Sequence, residues 1–295
     1  DIRLQGRQCA LKEVVQEADL PPEIRREGRA QFYREASVLA RLDHPNLPKV
    51  SDYFTADDRD FLVMDFVPGE DLKSLMDQAR REGRLLPMRQ VLDWAVQLTQ
   101  ALEYLHGQSP PVIHRDIKPS NLKLTPSGLV KLVDFGLVKQ TAPDEMTVTV
   151  IQGRGTALYT PLEQYGGDSG HTDPRSDLYA LGATLYHLLT NHPPLEAKQR
   201  FLRPDGLRPP HELNGEITPE LERTVLWAMS LHPDDRPPST AAFRTALEGE
   251  QGASRLTIEI PAVSALRRWL PSRADRALAA AAAALTILAV VATLV

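Results

Sequence analysis

The apolar positions follow two periods. As far as about residue 67 they come mostly in strand-length runs around one helical stretch, and beyond it they mostly recur at helical spacing. Residues 2–4 and 8–15 flank Gln5-Gly6-Arg7 and predict a hairpin, with Cys9 as a buried strand residue. Residues 23–41 predict a helix whose stripe holds Phe32, Ala36 and Leu39, and Glu35 falls inside that stripe. A carboxylate there needs a partner, because an unpaired buried charge is costly. His44-Pro45-Asn46 and Pro48 break the helix, and residues 49–54 and 61–67 read as two further strands. A short helix follows over 72–81. A longer one over 88–106 aligns Val91, Ala95, Leu98, Leu102 and Leu105 before Gly107 stops it. Residues 121–124 and 129–133 are short apolar runs around the turn Thr125-Pro126-Ser127-Gly128. Paired with Leu124 facing Leu129, they bring Asn121 and Asp134 out together at the open end. A polar loop rich in Thr and Gly covers 136–163, and an apolar helix runs from 176 to 189.

Composition narrows the class. With 42% hydrophobic and 25% charged residues, the 295-residue chain can bury one large or two modest cores, which allows a folded enzyme. A net charge of -5 and a pI near 5.9 argue against a nucleic-acid binder, so phosphate would be bound locally. One cysteine excludes an internal disulfide and fits a reducing compartment.

Chemistry gathers at the hairpin mouth. Asn121 and Asp134 offer an amide and a carboxylate oxygen, hard ligands that suit Mg²⁺ sharing its shell with substrate phosphates. Asp116, just upstream, is placed to take a proton from an attacking hydroxyl, and Lys118 to put positive charge on a phosphoryl group. Taken singly, such residues are more often helix caps and turn formers. Together, His114-Arg115-Asp116, Lys118, Asn121 and Asp134-Phe135-Gly136 resemble the catalytic and metal-binding loops of eukaryotic-type protein kinases.

That resemblance implies an α+β, two-lobed kinase-like fold, with a small β-rich lobe over 1–67 and a larger helical lobe over 68–248. It implies transfer of the γ-phosphoryl of ATP to Ser or Thr of protein substrates, with Mg²⁺ or Mn²⁺. Cys9-Ala10-Leu11-Lys12 resembles the strand carrying the phosphate-anchoring lysine, which makes Lys12 the expected partner of Glu35. Residues 61–69 resemble the strand leading into the hinge, with Met64 as gatekeeper. Ala10, Asp65, Val67 and Lys123 complete the expected nucleotide wall. Lys123 departs from the family, which usually has an apolar residue there. Gly155-Thr156 and Thr160-Pro161-Leu162-Glu163 resemble the close of an activation segment, with Thr160 and Leu162 as departures. Autophosphorylation is expected at Thr147 or Thr149, with Arg115 holding the phosphate. Asp177 resembles the buried aspartate that props the catalytic loop, and Arg236 the arginine that pairs with Glu163. Lys118 within Ile117-Lys118-Pro119-Ser120-Asn121 favours Ser/Thr specificity by the same resemblance.

The chain opens on Asp1 inside a strand-like run, so the Gly-rich loop of such kinases is expected to lie upstream of it. Residues 249–276 read as a linker turning basic at Arg267, Arg268, Arg273 and Arg276, and 277–295 as nineteen uncharged residues long enough to span a bilayer. The one-sided arginines put the kinase domain in the cytoplasm of a single-pass membrane protein, the arrangement of bacterial receptor-type kinases, and leave room for a homodimer. A catalytically silent scaffold and a small-molecule kinase are the competing readings. The complete set of polar residues weighs against the first, and Glu163, Asp177 and Arg236 against the second.

Overall fold

The structure, a computed structural model, describes residues 6, 8–14, 21–135, 157–165 and 172–255. Contacts divide the chain into two compact units, Asp1–Gln251 and Gly252–Val295. In the first, an antiparallel sheet holds β1 (Cys9–Val14), β2 (Val50–Ala56) and β3 (Arg59–Asp65) in the order β1-β3-β2, with α1 (Pro22–Leu39) before β2 in sequence. Alternation along β3 buries Asp60, Leu62 and Met64, and Phe32, Ala36 and Leu39 of α1 are buried as the helical spacing predicts. Cys9 is exposed, contrary to expectation. Period two places Cys9 and Leu11 on the outer face of β1 and leaves Ala10 and Lys12 half-buried on the other.

Next come β4 (Glu70–Asp71), α2 (Leu72–Arg81) and α3 (Met88–His106), followed by the hairpin of β5 (Leu122–Leu124) and β6 (Val130–Leu132). Strands β4, β5 and β6 form a second antiparallel sheet. The hairpin register differs by one from expectation, pairing Leu124 with Val130. The turn explains it: Gly128 sits at φ 83 and donates to Thr125 O at 2.9 Å, while Thr125 N donates to Leu129 O at 2.9 Å. Thr125 therefore faces Leu129 across a three-residue loop that needs a left-handed glycine at its end. The mouth of the hairpin survives the shift, because Val133 N donates to Asn121 O at 2.9 Å.

The rest is helical: α4 (Pro174–Thr190), α5 (Ala197–Leu202), α6 (Pro210–Leu213), α7 (Pro219–Ala228) and α8 (Thr240–Arg255). Helix α4 starts two residues before the expected position, because Asp173 caps it by accepting from Arg175 N at 2.7 Å and Pro174 presets its first turn. It is buried all round, as an axial core helix must be. At Gly182 an added Cβ would lie 2.8 Å from Ala228 Cβ, so α4 and α7 touch where the side chain is missing. The polar stretch expected as linker from 249 continues α8 through Arg255, its Glu, Gln and Ala residues being good helix formers. Among the described residues no helix is long and apolar enough to cross a membrane, and the span expected over 277–295 lies outside them.

Candidate active site

The loop between α3 and β5 is held from below. Asp177, in the first turn of α4 and fully buried, accepts His114 N on Oδ2 and Arg115 N on Oδ1, both at 2.9 Å. These bonds help hold Arg115 at φ 66, a left-handed conformation that a non-glycine residue rarely adopts without support. Burial alone would raise the Asp177 pKa. The bond from His106 Nε2 (2.9 Å), the electrostatic pull of the His106 and His114 imidazoles and the His114 N–H outweigh it and hold the carboxyl below its usual range. His114 is buried too, its ring centroid 4.8 Å from that of Phe135. Burial lowers its pKa, against the pull of Asp177, so the ring is neutral near pH 7.

Asp116 follows directly, with a quarter of its side chain (25%) open to solvent. Lys118 Nζ lies 2.9 Å from each carboxylate oxygen. Asn121, in a 3-10 turn at the head of β5, donates through Nδ2 to Asp116 O and Oδ2 at 2.8 Å each. With its nitrogen turned to Asp116, the amide oxygen is the atom left to a cation. Asp134 sits one residue beyond the Val133–Asn121 bond at φ 59, its side chain 55% exposed and Oδ1 3.3 Å from Lys12 Nζ. A carboxylate that already draws an ammonium, beside an amide oxygen, fits the hard-oxygen chemistry of Mg²⁺.

Lys12 departs from expectation. Its Nζ donates to Phe135 O at 2.9 Å and pairs with Asp134, and among the described residues no contact joins it to Glu35. Glu35 Oε1 instead accepts from Gln31 Nε2 at 2.7 Å, one turn back on α1. The apolar stripe required a hydrogen-bond partner for Glu35, and α1 supplies one internally.

The expected nucleotide wall is contiguous. Ala10 pairs with Met64 and Cys9 with Asp65 across β1 and β3; Met64 is buried, as is Val67 in the linker that leaves β3. Gly69, at φ 102, lets this linker meet β5, since a Cβ there would stand 2.0 Å from Leu124 O. Lys123 lies in β5 opposite Asp71 and Lys131. Its ammonium is 5.8 Å from the ring of Phe66, an exposed linker residue, so the charge rests on an aromatic face.

Below the loop, Glu163 and Arg236 form a two-pronged pair, Oε1–Nη1 at 2.6 Å and Oε2–Nη2 at 3.0 Å. Thr147, Thr149 and Thr156 lie outside the described residues. Arg115, the expected phosphate holder, has a buried Nε with no partner among the described residues. Two contributors were not foreseen. Asn46, read only as a helix breaker, donates to Val130 O at 2.7 Å and accepts Leu132 N at 2.8 Å, bracing β6. His106, read only as the end of a core helix, bonds both Asp177 and Thr240. A histidine in the last turn of an apolar helix was the one signal for it.

The protein kinase domain family matches residues 2–243. The chain belongs to that family. A probable serine/threonine-protein kinase of Streptomyces coelicolor is 36% identical, over 84% of this chain and 36% of its own length. The tyrosine-protein kinase MasK of Myxococcus xanthus is 35% identical, over 74% of this chain and 35% of its own. Among solved structures, the kinase domain of Mycobacterium tuberculosis PknI superposes with a TM-score of 0.61 at 28% identity, covering 82% of this chain and 85% of that one. The kinase domain described here is thus of the bacterial eukaryotic-type kind, and the chain spans about a third of the length of those two curated relatives.

Proposed function

We propose that this kinase domain transfers the γ-phosphoryl group of ATP to serine or threonine hydroxyls of proteins. The observation that carries the reading is Asp116: a carboxylate reaching solvent, clamped by Lys118 and Asn121, on a loop whose backbone is fixed by Asp177. Asp116 accepts the proton of the attacking hydroxyl as its oxygen bonds the γ-phosphorus and the bond to the β-phosphate oxygen breaks, releasing ADP. Lys118 sets positive charge beside the same centre. Asn121 and Asp134 would hold Mg²⁺ or Mn²⁺, which neutralises phosphate charge when bound. Lys12 anchors phosphate oxygens, and Ala10, Met64, Asp65, Val67 and Lys123 bound the adenine side.

Autophosphorylation at Thr147 or Thr149 with capture by Arg115, anchoring through 277–295, and a cytoplasmic kinase domain in transmembrane signalling extend this reading. The basic flank and uncharged stretch support the anchor. The test is transfer from labelled ATP to a generic basic protein by the full-length protein, beside Asp116→Asn, with the acceptor residues identified. Label on serine and threonine that falls at least about 100-fold in the variant is expected, in line with loss of a catalytic base. Equal label in both proteins would refute catalysis, and label on tyrosine alone would refute the specificity.

A further inference from the structure

We propose that Thr240, the first residue of α8, is a positioning residue for the transfer step, acting through the His106 ring on the carboxylate that holds the catalytic loop. The contacts form a chain. Thr240 Oγ1 lies 3.0 Å from His106 Nδ1, His106 Nε2 lies 2.9 Å from Asp177 Oδ2, and Asp177 accepts the N–H groups of His114 and Arg115 at 2.9 Å. All of it is shielded: Thr240 is 5% exposed, the His106 side chain 9% and the Asp177 side chain 0%. Thr240 and His106 stand 134 positions apart in the sequence, so the chain ties the start of α8 to the residue before Asp116.

The chemistry fixes the direction of each bond. A carboxylate only accepts, so the proton lies on Nε2. With a single proton on the ring, Nδ1 is left as the acceptor and the hydroxyl of Thr240 donates to it. Without that hydroxyl Nδ1 loses its partner and the ring can turn about its Cβ–Cγ bond, which swings the Nε2–H off Asp177 and weakens the prop under His114 and Arg115. A hydrogen-bonded neighbour that fixes a histidine's orientation acts on chemistry it never touches. Because Arg115 is held in a left-handed conformation, relaxation of the prop moves the next residue, Asp116.

The proposal rests on the phosphotransfer reading, so its test has one arm that needs no turnover. Proton and nitrogen-15 spectra of His106 in the full-length protein should show an Nε2 proton hydrogen-bonded to a carboxylate, and loss of that proton's downfield shift in Thr240→Val. In the kinetic arm, Thr240→Val should lower kcat by about 10- to 100-fold, the range for misplacing a reacting group from a distance, with KM for ATP unchanged. Thr240→Ser should restore kcat, and Thr240→Val should add nothing in a His106→Leu background. A purely structural role would lower the melting temperature of Thr240→Val without that split and without a change in the Nε2 proton shift. A ring protonated on both nitrogens, kcat within twofold of the parent, or additive effects in the double variant would overturn the proposal. A parent protein with no transferase activity but the expected spectra would overturn the phosphotransfer reading instead.

Discussion

Removing Arg236 tests whether the close of the activation segment is held by a buried charge or by packing. Its guanidinium makes five bonds: Nη1 and Nη2 to Glu163 at 2.6 and 3.0 Å, Nη1 to Arg175 O at 3.0 Å, Nη2 to Leu231 O at 2.9 Å and Nε to Ser230 O at 2.8 Å. The guanidinium lies 5.1 Å from the Tyr179 ring, and the two charged side chains are 0% and 9% exposed. Arg236→Met keeps the packing but strands the Glu163 carboxylate with the Ser176 hydroxyl as its remaining side-chain hydrogen-bond partner. Stranding one member of a buried pair costs about 3–5 kcal/mol. Glu163→Gln should cost less, about 1–3 kcal/mol, because an amide still accepts from Arg236 and the three carbonyl bonds persist. Converting both, Glu163→Leu with Arg236→Met, should recover at least about 2 kcal/mol over the single arginine variant, since no buried charge is left. Urea unfolding of the full-length protein near neutral pH reads all three. The sign with pH follows. Burial alone would raise the Glu163 pKa, but the bonds and charge of Arg236 and the Ser176 hydroxyl hold it below its ordinary 4.5. Its contribution is therefore present above that value and lost as pH falls through the depressed one, so the parent and Glu163→Gln should converge at acid pH. An Arg236→Met cost under about 1 kcal/mol, or a double variant no more stable than the single, would refute the buried-charge account.

Two further perturbations probe other parts of the framework. Burial holds the His187 imidazole down to about 4, and Tyr159 Oη lies 2.7 Å from its Nδ1. That stability is present above the ordinary 6.5 and drains as pH falls toward about 4. His187→Phe should flatten the stability curve between those values, measured by urea midpoints; an equally steep curve would assign the acid sensitivity elsewhere. Gly69→Ala should destabilise by at least about 2 kcal/mol, because φ 102 is strained for alanine and the new methyl would meet Leu124 O at 2.0 Å. A melting temperature within a degree of the parent would show that linker and hairpin separate freely.

What the sequence disclosed follows from the range of the interaction involved. Helix α3 was legible because Val91, Ala95, Leu98, Leu102 and Leu105 mark one face within a single continuous stretch, and all five are at most 1% exposed. The hairpin was legible as a hairpin, but its register was not. A one-residue difference turned on the left-handed conformation of Gly128, and the same four turn residues permit either pairing. The face of β1 was ambiguous for a related reason: period two separates Cys9 from Ala10 without saying which faces inward. Single residues whose partners lie far away became legible only through resemblance, as with Asp177 beneath His114 and Arg115. The bond between His106 and Thr240 carried no such mark.

The contacts of the site differ in what it would take to exchange them. Those built within the helical lobe are shielded and multiply bonded: Asp177 under the loop, Glu163 against Arg236, Asn121 against Asp116. Breaking any of them leaves a buried polar group unsatisfied, at a cost of about 1–3 kcal/mol or more. Lys12 is placed differently. Its pair with Asp134 has side chains 28% and 55% exposed, the class of ion pair worth about 0–1 kcal/mol. The Gln31–Glu35 bond is likewise a single contact between half-buried side chains on one helix. Trading Asp134 for Glu35 as the partner of Lys12 therefore asks for little free energy, while moving Asp116 relative to Asn121 asks for several times more. The loop proposed to carry the chemistry is held by buried, multiply bonded contacts, and Lys12, the proposed phosphate anchor, is the adjustable part.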